Sequence, residues 1–444
     1  MKEEDLESYG VDLSKLKNYQ LEGVKWLIKK DKAILADDMG LGKTLQVLKS
    51  IQILFARKEI KKVLVVCPVS LIKNWEEEII KWTPDITYQR VSSSSTNIET
   101  LKAIDISNIV ITNYENIRSD PSIYEKFEFD LVVADEVHKV RRIQSKLSKS
   151  FRSIIGKKFW ALTGTPIENN IDDLINLSQY IIPGTLSTSD KNRSQLVVRE
   201  VIKPYVLRRN KNQVLSELPE VIEVDVPIDL SLEQRKLYDE IWSKRSNISK
   251  KSGSFFGVLS KLRAICDGTQ EYTKNSKVIK AFEIVEKILS KNEKVIIFSY
   301  YIEPLKAMEN LLIGKKIKCV TILGEDEIEV REKNIQEFKN ENTDILLASS
   351  KVASEGLNLT ESNNVIFLNR WWNPSSNNQA RDRVNRLGQD KIVNIFNIYC
   401  KETIEERVVE ILNEKTELYE KMIDGLIDNI EDMDINLLLN GENE

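Results

Sequence analysis

Ten short runs of apolar and β-branched residues recur along the chain, each followed by a turn and then by a helical spacing of apolar positions. Five lie in the first half, within KAILAD, KKVLVVCP, NIVITNY, FDLVVADE and KFWALTGT, and five in the second half, within KVIIFSY, CVTILG, DILLASS, NVIFLN and IVNIFNIY. Continuous apolar strands that alternate with helices are typical of parallel sheets buried on both faces. Two such series predict an α/β protein built from two doubly wound parallel-sheet lobes.

The chain between and after the two series has a mostly helical pattern. From Ile167 to about Gln270 there is little strand signal beyond VIEVDVPIDL, and a helical pattern continues from Glu402. We therefore divide the 444 residues into several segments. These are a first lobe (1–166), a helical insertion with a linker (167–225), a helical insertion of the second lobe (226–276), the second lobe (277–412), and a C-terminal helix with an acidic tail (413–444).

Composition argues against several classes of protein. The chain is 41% hydrophobic and 30% charged, as expected for a globular protein with a large core. No apolar run approaches the roughly 20 residues of a membrane helix, and the acidic start MKEEDLESYG does not resemble a signal peptide. Four scattered cysteines without a CxxC pair, and a single histidine, argue against a zinc site or a disulfide framework. We expect a cytoplasmic protein, or a nuclear one if the source is eukaryotic.

The net charge of −4 conceals an uneven distribution. The segment from Lys421 to the end carries seven acidic residues and one lysine, whereas Lys139 to Lys158 carries eight lysines or arginines and no acidic residue. Attraction to phosphates fades over a Debye length of about 8 Å, so a local basic patch matters more than the sum. The basic stretch alternates its charges with Ile, Leu and Phe at helical spacing. This predicts a helix that offers one face to phosphates, with a merely solvated face as the alternative.

A glycine-rich turn follows the first strand. The motif DDMGLGKT, from Asp37 to Thr44, opens the helical stretch LQVLKSIQILF. Gly40 and Gly42 let backbone amides curl around phosphate oxygens, Lys43 would reach the β- and γ-phosphates, and Thr44 would hold Mg2+. Asp37 stands where the pattern GxxxxGK[ST] has its first glycine. The turn predicts a site for ATP and Mg2+, with nucleotide contacts from Asp38, Met39, Gly40, Leu41, Gly42, Lys43, Thr44 and Leu45.

The stretch FDLVVADEVH supplies the second half of this site. Its apolar strand delivers Asp135 and Glu136 at the carboxyl end, where α/β sheets bind ligands. Asp135 would hold Mg2+, and Glu136 would orient and deprotonate the attacking water. Adjacent acids are common at strand ends, so the pair alone is a weak signal for a nucleotide site. Its place downstream of GKT and just before His138 makes the signal strong.

Together, DDMGLGKT, DEVH and LTGTPIENN resemble the motifs of the Swi/Snf-type ATPases, double-stranded-DNA translocases of helicase superfamily two. NYQLEGVKWL resembles the glutamine motif of that family, and VVCPVSLIKNWEEEI with ITNYE resembles its first-lobe strand-contacting motifs. VLRRNKNQVLSELP resembles the stretch between its lobes. The second half adds LLASSKVASEGLNLTESNNVIFLNRWWNP and NQARDRVNRLGQ, which are more specific than the phosphate-loop motif. The resemblance covers roughly Leu16 to Val408.

The resemblance implies two RecA-like lobes and a role for several residues. Gln20 would read the adenine. Arg383 and Arg386 would act as arginine fingers that stabilise charge on the transferring phosphoryl group. Glu355 and Gly356 would lie in the loop that links the ATP cleft to the DNA track.

Other motif residues bear on coupling between hydrolysis and movement. By the same resemblance, Thr163 and Gly164 would couple the nucleotide state to movement of the lobes. The chain departs from the family pattern at Ala353 and Ser354, where a glycine pair is usual, and at Asn369, where an aspartate is usual. None of these departures removes a group that we assign to hydrolysis.

Nucleic-acid contacts are expected from the strand-contacting motifs of both lobes and from the basic stretch. No aromatic-rich stretch suggests a base-stacking platform, so binding would be electrostatic and independent of base sequence. The expected contacts are Ser70, Lys73, Asn74, Thr112, Asn113, Arg141, Arg142, Lys146, Ser349, Ser350, Lys351 and Trp372.

The resemblance implies an ATP-dependent translocase on double-stranded DNA that displaces or remodels bound proteins without obligatory strand separation. A monomer with a protein partner for targeting is favoured. A strand-separating DNA or RNA helicase stays open as an alternative. An alternative of another class is a nucleotide-gated DNA-binding scaffold, which the intact Lys43, Asp135 and Glu136 disfavour. The sequence leaves open the remodelled complex, the direction of travel and any regulatory role of the acidic tail.

Overall fold

The computed structural model of the chain describes residues 9–91, 95–140, 145–164, 175–176, 178–180, 183–184, 186, 201–214, 219–245, 255–268, 275–340, 343–353, 359–371, 374–386, 388–410 and 412–413. The chain divides into two compact units, Met1–Ser216 and Glu217–Glu444. Each unit contains a parallel sheet of its own.

The first unit is organised around a seven-stranded sheet. Its strands are β1 (Lys32–Leu35), β2 (Val63–Cys67), β3 (Tyr88–Arg90), β4 (Ile109–Asn113), β5 (Glu128–Asp135), β6 (Ile155–Leu162) and β7 (Val206–Leu207), in the order β3-β4-β2-β5-β6-β1-β7. All neighbouring strands are parallel. Leu162 pairs with both Leu35 and Asp135, so the carboxyl ends of β1, β6 and β5 meet at one edge of the sheet.

Both faces of this sheet are buried. Ile34 packs into one apolar cluster, whereas its neighbours Ala33 and Leu35 pack into another. Successive side chains of a strand point to opposite faces, so this alternation shows an apolar core on each side. The helices of this unit include Asn18–Leu27, Lys43–Ala56, Ile72–Trp82, Asn97–Ile106, Tyr114–Ser119, Pro121–Glu125, Lys146–Arg152 and Lys211–Val214.

The second unit has a six-stranded parallel sheet. Its strands are β8 (Val221–Ile228), β9 (Val295–Ser299), β10 (Val320–Ile322), β11 (Ile345–Ser349), β12 (Asn364–Phe367) and β13 (Val393–Cys400), in the order β10-β11-β9-β12-β13-β8. Ile296 and Ile297 again pack into different clusters, so both faces are covered. Helices of this unit include Leu232–Ser243, Phe255–Asp267, Ser276–Leu289, Ile302–Gly314, Ile328–Lys339, Ser350–Ala353 and Pro374–Arg381. Across the described ranges, no helix is both long and apolar enough to cross a membrane.

The predicted fold class is confirmed, and each of the ten apolar runs contains a strand. The strands β3 and β7 are absent from the sequence prediction because they have only three and two residues. The segment 167–225, predicted as a helical insertion and linker, contributes β7 to the first sheet and most of β8 to the second. The predicted domain limits otherwise stay a prediction, and nearly all of the tail 413–444 lies outside the described residues.

Candidate functional site

The turn after β1 has the backbone shape that a phosphate-binding loop requires. Gly40 (φ 84°) and Gly42 (φ 74°) both adopt positive φ angles, a conformation that costs side-chain-bearing residues energy. Gly42 directly precedes the helix Lys43–Ala56 and has no side chain that could cap it. An anion at this point would meet backbone amides and the positive end of the helix dipole.

Gln20 is buried against this loop. Its side-chain amide donates to the Leu41 carbonyl (3.3 Å), and its side-chain carbonyl accepts from the Lys17 backbone N–H (3.0 Å). A Cβ atom on Gly42 would lie 2.5 Å from Gln20 Nε2, so a side chain there would displace the Gln20 amide from the loop. Gln20 therefore lies beside the loop, and its contact with adenine stays a prediction.

The carboxylate of Asp135 ends β5 in a buried position. Trp75 Nε1 donates to Asp135 Oδ2 (2.9 Å), and the backbone N–H of Glu136 donates to Oδ1 (3.0 Å). The Tyr114 hydroxyl donates to the Asp135 backbone carbonyl (2.7 Å), which fixes the strand end as well. Burial and the adjacent Glu136 carboxylate raise the pKa of Asp135 to about 6, although Trp75 and Lys43 oppose the shift.

Glu136 follows with a positive φ of 51°, which is uncommon for a residue other than glycine. Conformations of this kind cluster at functional sites, where the surrounding structure holds them. Glu136 Oε2 lies 3.2 Å from His138 Nδ1, on the short helical turn Val137–Val140. The single histidine of the chain therefore contacts the acid that we assign as the base.

The ammonium group of Lys43 folds back onto its own loop. Its Nζ donates to the backbone carbonyls of Asp37 (2.8 Å) and Asp38 (3.3 Å). Burial lowers the pKa of Lys43, while the carboxylates of Glu136 and Asp135 oppose this change. The structure thus places the predicted lysine close enough to both predicted acids for their charges to interact.

The end of β6 packs directly on the loop. A Cβ atom on Gly164 would lie 2.6 Å from Met39 Cγ, so only glycine leaves room for the Met39 side chain. The Thr163 backbone N–H donates to the Leu35 carbonyl (3.2 Å) at the end of β1. Thr163 and Gly164 therefore contact the phosphate-binding loop and the end of β1. Their role in coupling the nucleotide state to movement stays a prediction.

Several residues around the loop were not identified from the sequence. Arg209 forms an ion pair with the buried Asp37, and its Nη2 also donates to Gln46 Oε1 (2.7 Å). Trp75 and Arg209 lie in motifs that the resemblance covers, but that resemblance gave neither a role. The only signal for Asp37 is its place where GxxxxGK[ST] has glycine.

The candidate arginine fingers belong to the second unit. Arg383 and Arg386 follow the helix Pro374–Arg381 in an irregular turn. Arg383 is buried and its backbone carbonyl accepts from the Leu359 N–H (3.0 Å), whereas Arg386 is partly exposed. Their contact with a phosphoryl group stays a prediction.

The predicted nucleic-acid contacts differ in exposure. Lys73 and Lys146 are exposed, and Ser70 and Asn74 are partly exposed. Other predicted contacts or loop residues lie outside the described residues or have undescribed side chains, namely Arg141, Arg142, Lys351, Glu355, Gly356 and Trp372.

Four other predicted contacts have buried side chains. Thr112 is fully buried and its hydroxyl shares a hydrogen bond with Tyr124 (2.9 Å), and Ser350 is buried at the end of β11. Asn113 Oδ1 accepts from the Asn116 N–H (2.8 Å) and caps a helix, and Ser349 is buried as well. These side chains face the interior in this structure, and their contacts with nucleic acid stay a prediction.

The loop, the paired acids and the two parallel-sheet units together have the features of a P-loop nucleotide-binding protein. A family model of the SNF2-related domain matches residues 19–271, and a model of the helicase conserved C-terminal domain matches residues 280–388. The first match alone spans more than half of the chain. The chain belongs to the SNF2-related family.

Individual relatives agree with this assignment. The chain is 32% identical over 441 residues to the uncharacterized ATP-dependent helicase MG018 of Mycoplasma genitalium, with coverage of 93% of this chain and 42% of the relative. It is 30% identical over 440 residues to the human SWI/SNF-related matrix-associated actin-dependent regulator of chromatin subfamily A member 1, with coverage of 89% and 42%. This chain therefore spans less than half the length of each of these two relatives.

Solved structures of similar sequence also exist. The Sulfolobus solfataricus SWI2/SNF2 ATPase core in complex with dsDNA is 29% identical, with coverage of 96% of this chain and 97% of that chain and a TM-score of 0.47.

Proposed function

We propose that this chain is the motor of an ATP-dependent translocase on double-stranded DNA, which displaces or remodels proteins bound to the DNA. The observation that carries the proposal is the meeting of Lys43, Asp135 and Glu136 at the carboxyl edge of the first sheet. A lysine on a glycine-rich loop beside paired acids is the arrangement that phosphoryl transfer from ATP requires.

The residues of this edge fit a nucleotide with Mg2+. Two adjacent carboxylates lie at this edge, and burial together with the neighbouring Glu136 raises the pKa of Asp135 to about 6. A bound cation would favour the charged form of Asp135. Thr44 and Asp135 would hold Mg2+, which when bound neutralises charge on the phosphate oxygens. Lys43 would exchange its loop carbonyls for phosphate oxygens.

Glu136 would act as the base that takes a proton from the attacking water. Its contact with His138 (3.2 Å) would hold the carboxylate in one orientation. Arg383 and Arg386 of the second unit would stabilise the charge that develops on the phosphoryl group.

Several observations favour duplex DNA as the track. Lys146 and Lys149 are exposed on the same short helix, and its apolar side, with Phe151, is buried. The relatives include proteins named as chromatin-remodelling factors, such as the chromatin remodeling factor mit1 of Schizosaccharomyces pombe. A strand-separating helicase is the second candidate, because a Bacillus subtilis relative is named as a putative ATP-dependent helicase/translocase. A targeting partner and a monomeric state belong to the proposal as well.

The decisive experiment is steady-state ATP hydrolysis without nucleic acid and with duplex DNA, single-stranded DNA or RNA. We expect strong stimulation by duplex DNA, and loss of the stimulated rate in Lys43→Ala and Arg386→Ala. A triplex-displacement assay would then report translocation, and a forked duplex would report strand separation. Stimulation by RNA or single strands alone would support the helicase, and absence of hydrolysis in every condition would support a scaffold.

A further inference from the structure

The loop that we assign to phosphate binding is hydrogen-bonded to a short segment that lies about 170 residues later in the sequence. Residues 206–209 run beside β1, where the Ala36 N–H donates to the Leu207 carbonyl (2.7 Å) and the Asp38 N–H donates to the Arg209 carbonyl (3.0 Å). The ladder of backbone bonds therefore continues past the end of β1 and into the first residues of the loop.

Side chains add a second and more specific attachment. Arg209 Nε donates to Asp37 Oδ1 (3.0 Å) and Arg209 Nη2 donates to Asp37 Oδ2 (2.5 Å), which is the two-pronged geometry of a guanidinium on a carboxylate. Arg209 Nη1 also donates to the Tyr19 backbone carbonyl. Gln46 completes the set, because its Nε2 donates to Asp37 Oδ2 (3.1 Å) and its Oε1 accepts from Arg209.

This cluster, formed by Tyr19, Asp37, Gln46 and Arg209, is almost completely buried. Asp37 and Gln46 have no exposed surface and Arg209 is 8% exposed. Gly23 is part of the packing, because a Cβ atom there would lie 1.8 Å from Gln46 Oε1 and 2.8 Å from Arg209 Nη2. The helix Asn18–Leu27 approaches the cluster so closely that a side chain at position 23 would displace the ends of Gln46 and Arg209.

The cluster acts on the residue that we assign to the phosphates. The carbonyl oxygens of Asp37 and Asp38 are the ones that receive the Lys43 ammonium group. Arg209 fixes the Asp37 side chain, and its own carbonyl fixes the Asp38 backbone. The orientation of Lys43 in this structure therefore depends on where Arg209 holds the loop.

Stability alone is a poor explanation for this ion pair. The backbone ladder already attaches residues 206–209 to β1. A buried ion pair gains little net stability, since the cost of removing both charges from water offsets their attraction. The two hydrogen bonds from Arg209 instead fix the orientation of the Asp37 side chain, because a planar guanidinium holds a carboxylate in one orientation.

We propose that Arg209 is a positioning residue of the nucleotide site, which holds Asp37 and thereby sets the loop and Lys43 for the phosphates of ATP. The inference rests on the proposed function of this loop.

The test measures the affinity of the full chain for a fluorescent ATP analogue with Mg2+, beside its melting temperature. Arg209→Gln leaves the buried Asp37 carboxylate without its cation, and we expect weaker binding and a lower melting temperature. In the double variant Arg209→Gln with Asp37→Asn no buried charge lacks its partner. We expect the double variant to regain most of the melting temperature while the dissociation constant stays about 10- to 100-fold above that of the unchanged protein.

The control is Asp31→Asn, which breaks an ion pair with Lys158 (2.5 Å) at the opposite end of β1. We expect it to bind the analogue normally.

A further variant serves if the Arg209 variants do not fold. Gly23→Ala keeps every charge and displaces the side chains of Gln46 and Arg209, and weaker binding of the analogue is again expected. Normal binding by the double variant, or by Gly23→Ala if only that one folds, would overturn the inference. Failure of the unchanged protein to bind the analogue would instead remove the proposed function and the inference with it.

Discussion

Asp135 is held by groups that lie far from it in sequence. The indole of Trp75 donates to one carboxylate oxygen, and the hydroxyl of Tyr114 donates to the backbone carbonyl of the same residue. Both partners are fully buried, so the side chain that we assign to Mg2+ has little freedom to turn. A ligand held in this way binds a metal more tightly, because the cost of orienting it is already met by the fold.

We predict that Trp75→Phe, which removes this hydrogen bond, raises the Mg2+ concentration needed for half-maximal ATP hydrolysis about 10- to 100-fold. Titration of the ATPase rate with Mg2+ measures the change. Trp82→Phe is the matched control, because Trp82 lies on the same helix and its Nε1 donates to Glu78 (2.7 Å), away from the site. An equal shift in both variants would show that the helix, and not the hydrogen bond to Asp135, determines the effect.

Local patterns at the residue scale identified the groups that act within one stretch of chain. Lys43, Asp135 and Glu136 could be named because a loop or a strand end presents each of them. Trp75 and Arg209 could not, because their partners are 60 and 172 positions away. Contacts of that kind depend on the register and order of the sheet, which apolar spacing does not define.

The basic stretch from Lys139 to Lys158, predicted as a helix, is helical over Lys146–Arg152. Its end is wrong in that prediction, because Ile155 to Lys158 belong to β6 and pair with β5. The short helix itself has one charged and one buried face, as its spacing predicts. Ser145 caps its start by accepting from the Ser148 N–H (3.1 Å), and Phe151 is buried on the inner side. Lys146 and Lys149 are exposed, and neither has an acidic partner within the described part of the chain. By contrast, Lys157 and Lys158 on β6 pair with Asp130 (2.9 Å) and Asp31 (2.5 Å).

We predict that the double variant Lys146→Ala with Lys149→Ala binds duplex DNA more weakly and with a smaller salt dependence. Each lost phosphate contact should reduce the slope of log affinity against log salt concentration by about 0.9. Fluorescence anisotropy of a labelled duplex between about 50 and 200 mM salt measures the slope. The double variant Lys157→Ala with Lys158→Ala should keep it, since those charges already have partners. If both double variants showed the same dependence of affinity on salt concentration, the DNA would not bind at the helix Lys146–Arg152.

Strand prediction succeeded where a run was apolar and failed where pairing alone makes the strand. The ten runs are central strands or strands buried by helices. Because they are buried, their residues are mostly apolar, and this makes them recognisable in the sequence. β8 is an edge strand whose Ile222 and Val224 stay 40% and 41% exposed. Its stretch VIEVDVPIDL has a strand signal within a segment of mostly helical pattern, and pairing with β13 defines its place in the sheet. β7 has two residues beside a pair of arginines, and only its bonds to β1 reveal it.

At the scale of the whole molecule, each unit has its own buried cores, and the second unit also contains a buried ion network. Lys277 Nζ donates to Asp267 Oδ1 (2.7 Å) and Glu405 Oε1 (2.5 Å), and Asn369 Nδ2 donates to the same Asp267 oxygen (2.9 Å). The network joins two helices to the segments that follow β12 and β13. Burial opposes the charge on Lys277, but the carboxylates of Asp267 and Glu405 outweigh it and raise its pKa.

A raised pKa of Lys277 means that the folded state holds the proton more tightly than the unfolded chain does. The stabilisation is therefore fully present below the ordinary lysine pKa of 10.5 and is lost only as the pH rises above it. At pH 8 the ammonium group is charged and paired. Removing it would leave two carboxylates buried together without their cation, which is among the more costly changes a core can undergo.

We predict that Lys277→Met destabilises the second unit by about 3–5 kcal/mol, whereas Lys280→Met changes its stability by less than about 1 kcal/mol. Lys280 lies on the same helix in an exposed pair with Glu283 (2.8 Å), so it controls for loss of a lysine there. The buried thiols report the effect by unit, because Cys67 lies in the first unit and Cys400 in the second.

Thiol labelling at pH 8, read residue by residue by mass spectrometry, should therefore show faster modification of Cys400 in Lys277→Met, while Cys67 stays as slow as in the unchanged protein. Equal acceleration at both cysteines would mean that the two units unfold as one. That outcome would contradict the view that each parallel sheet, with a core on both of its faces, maintains its own fold.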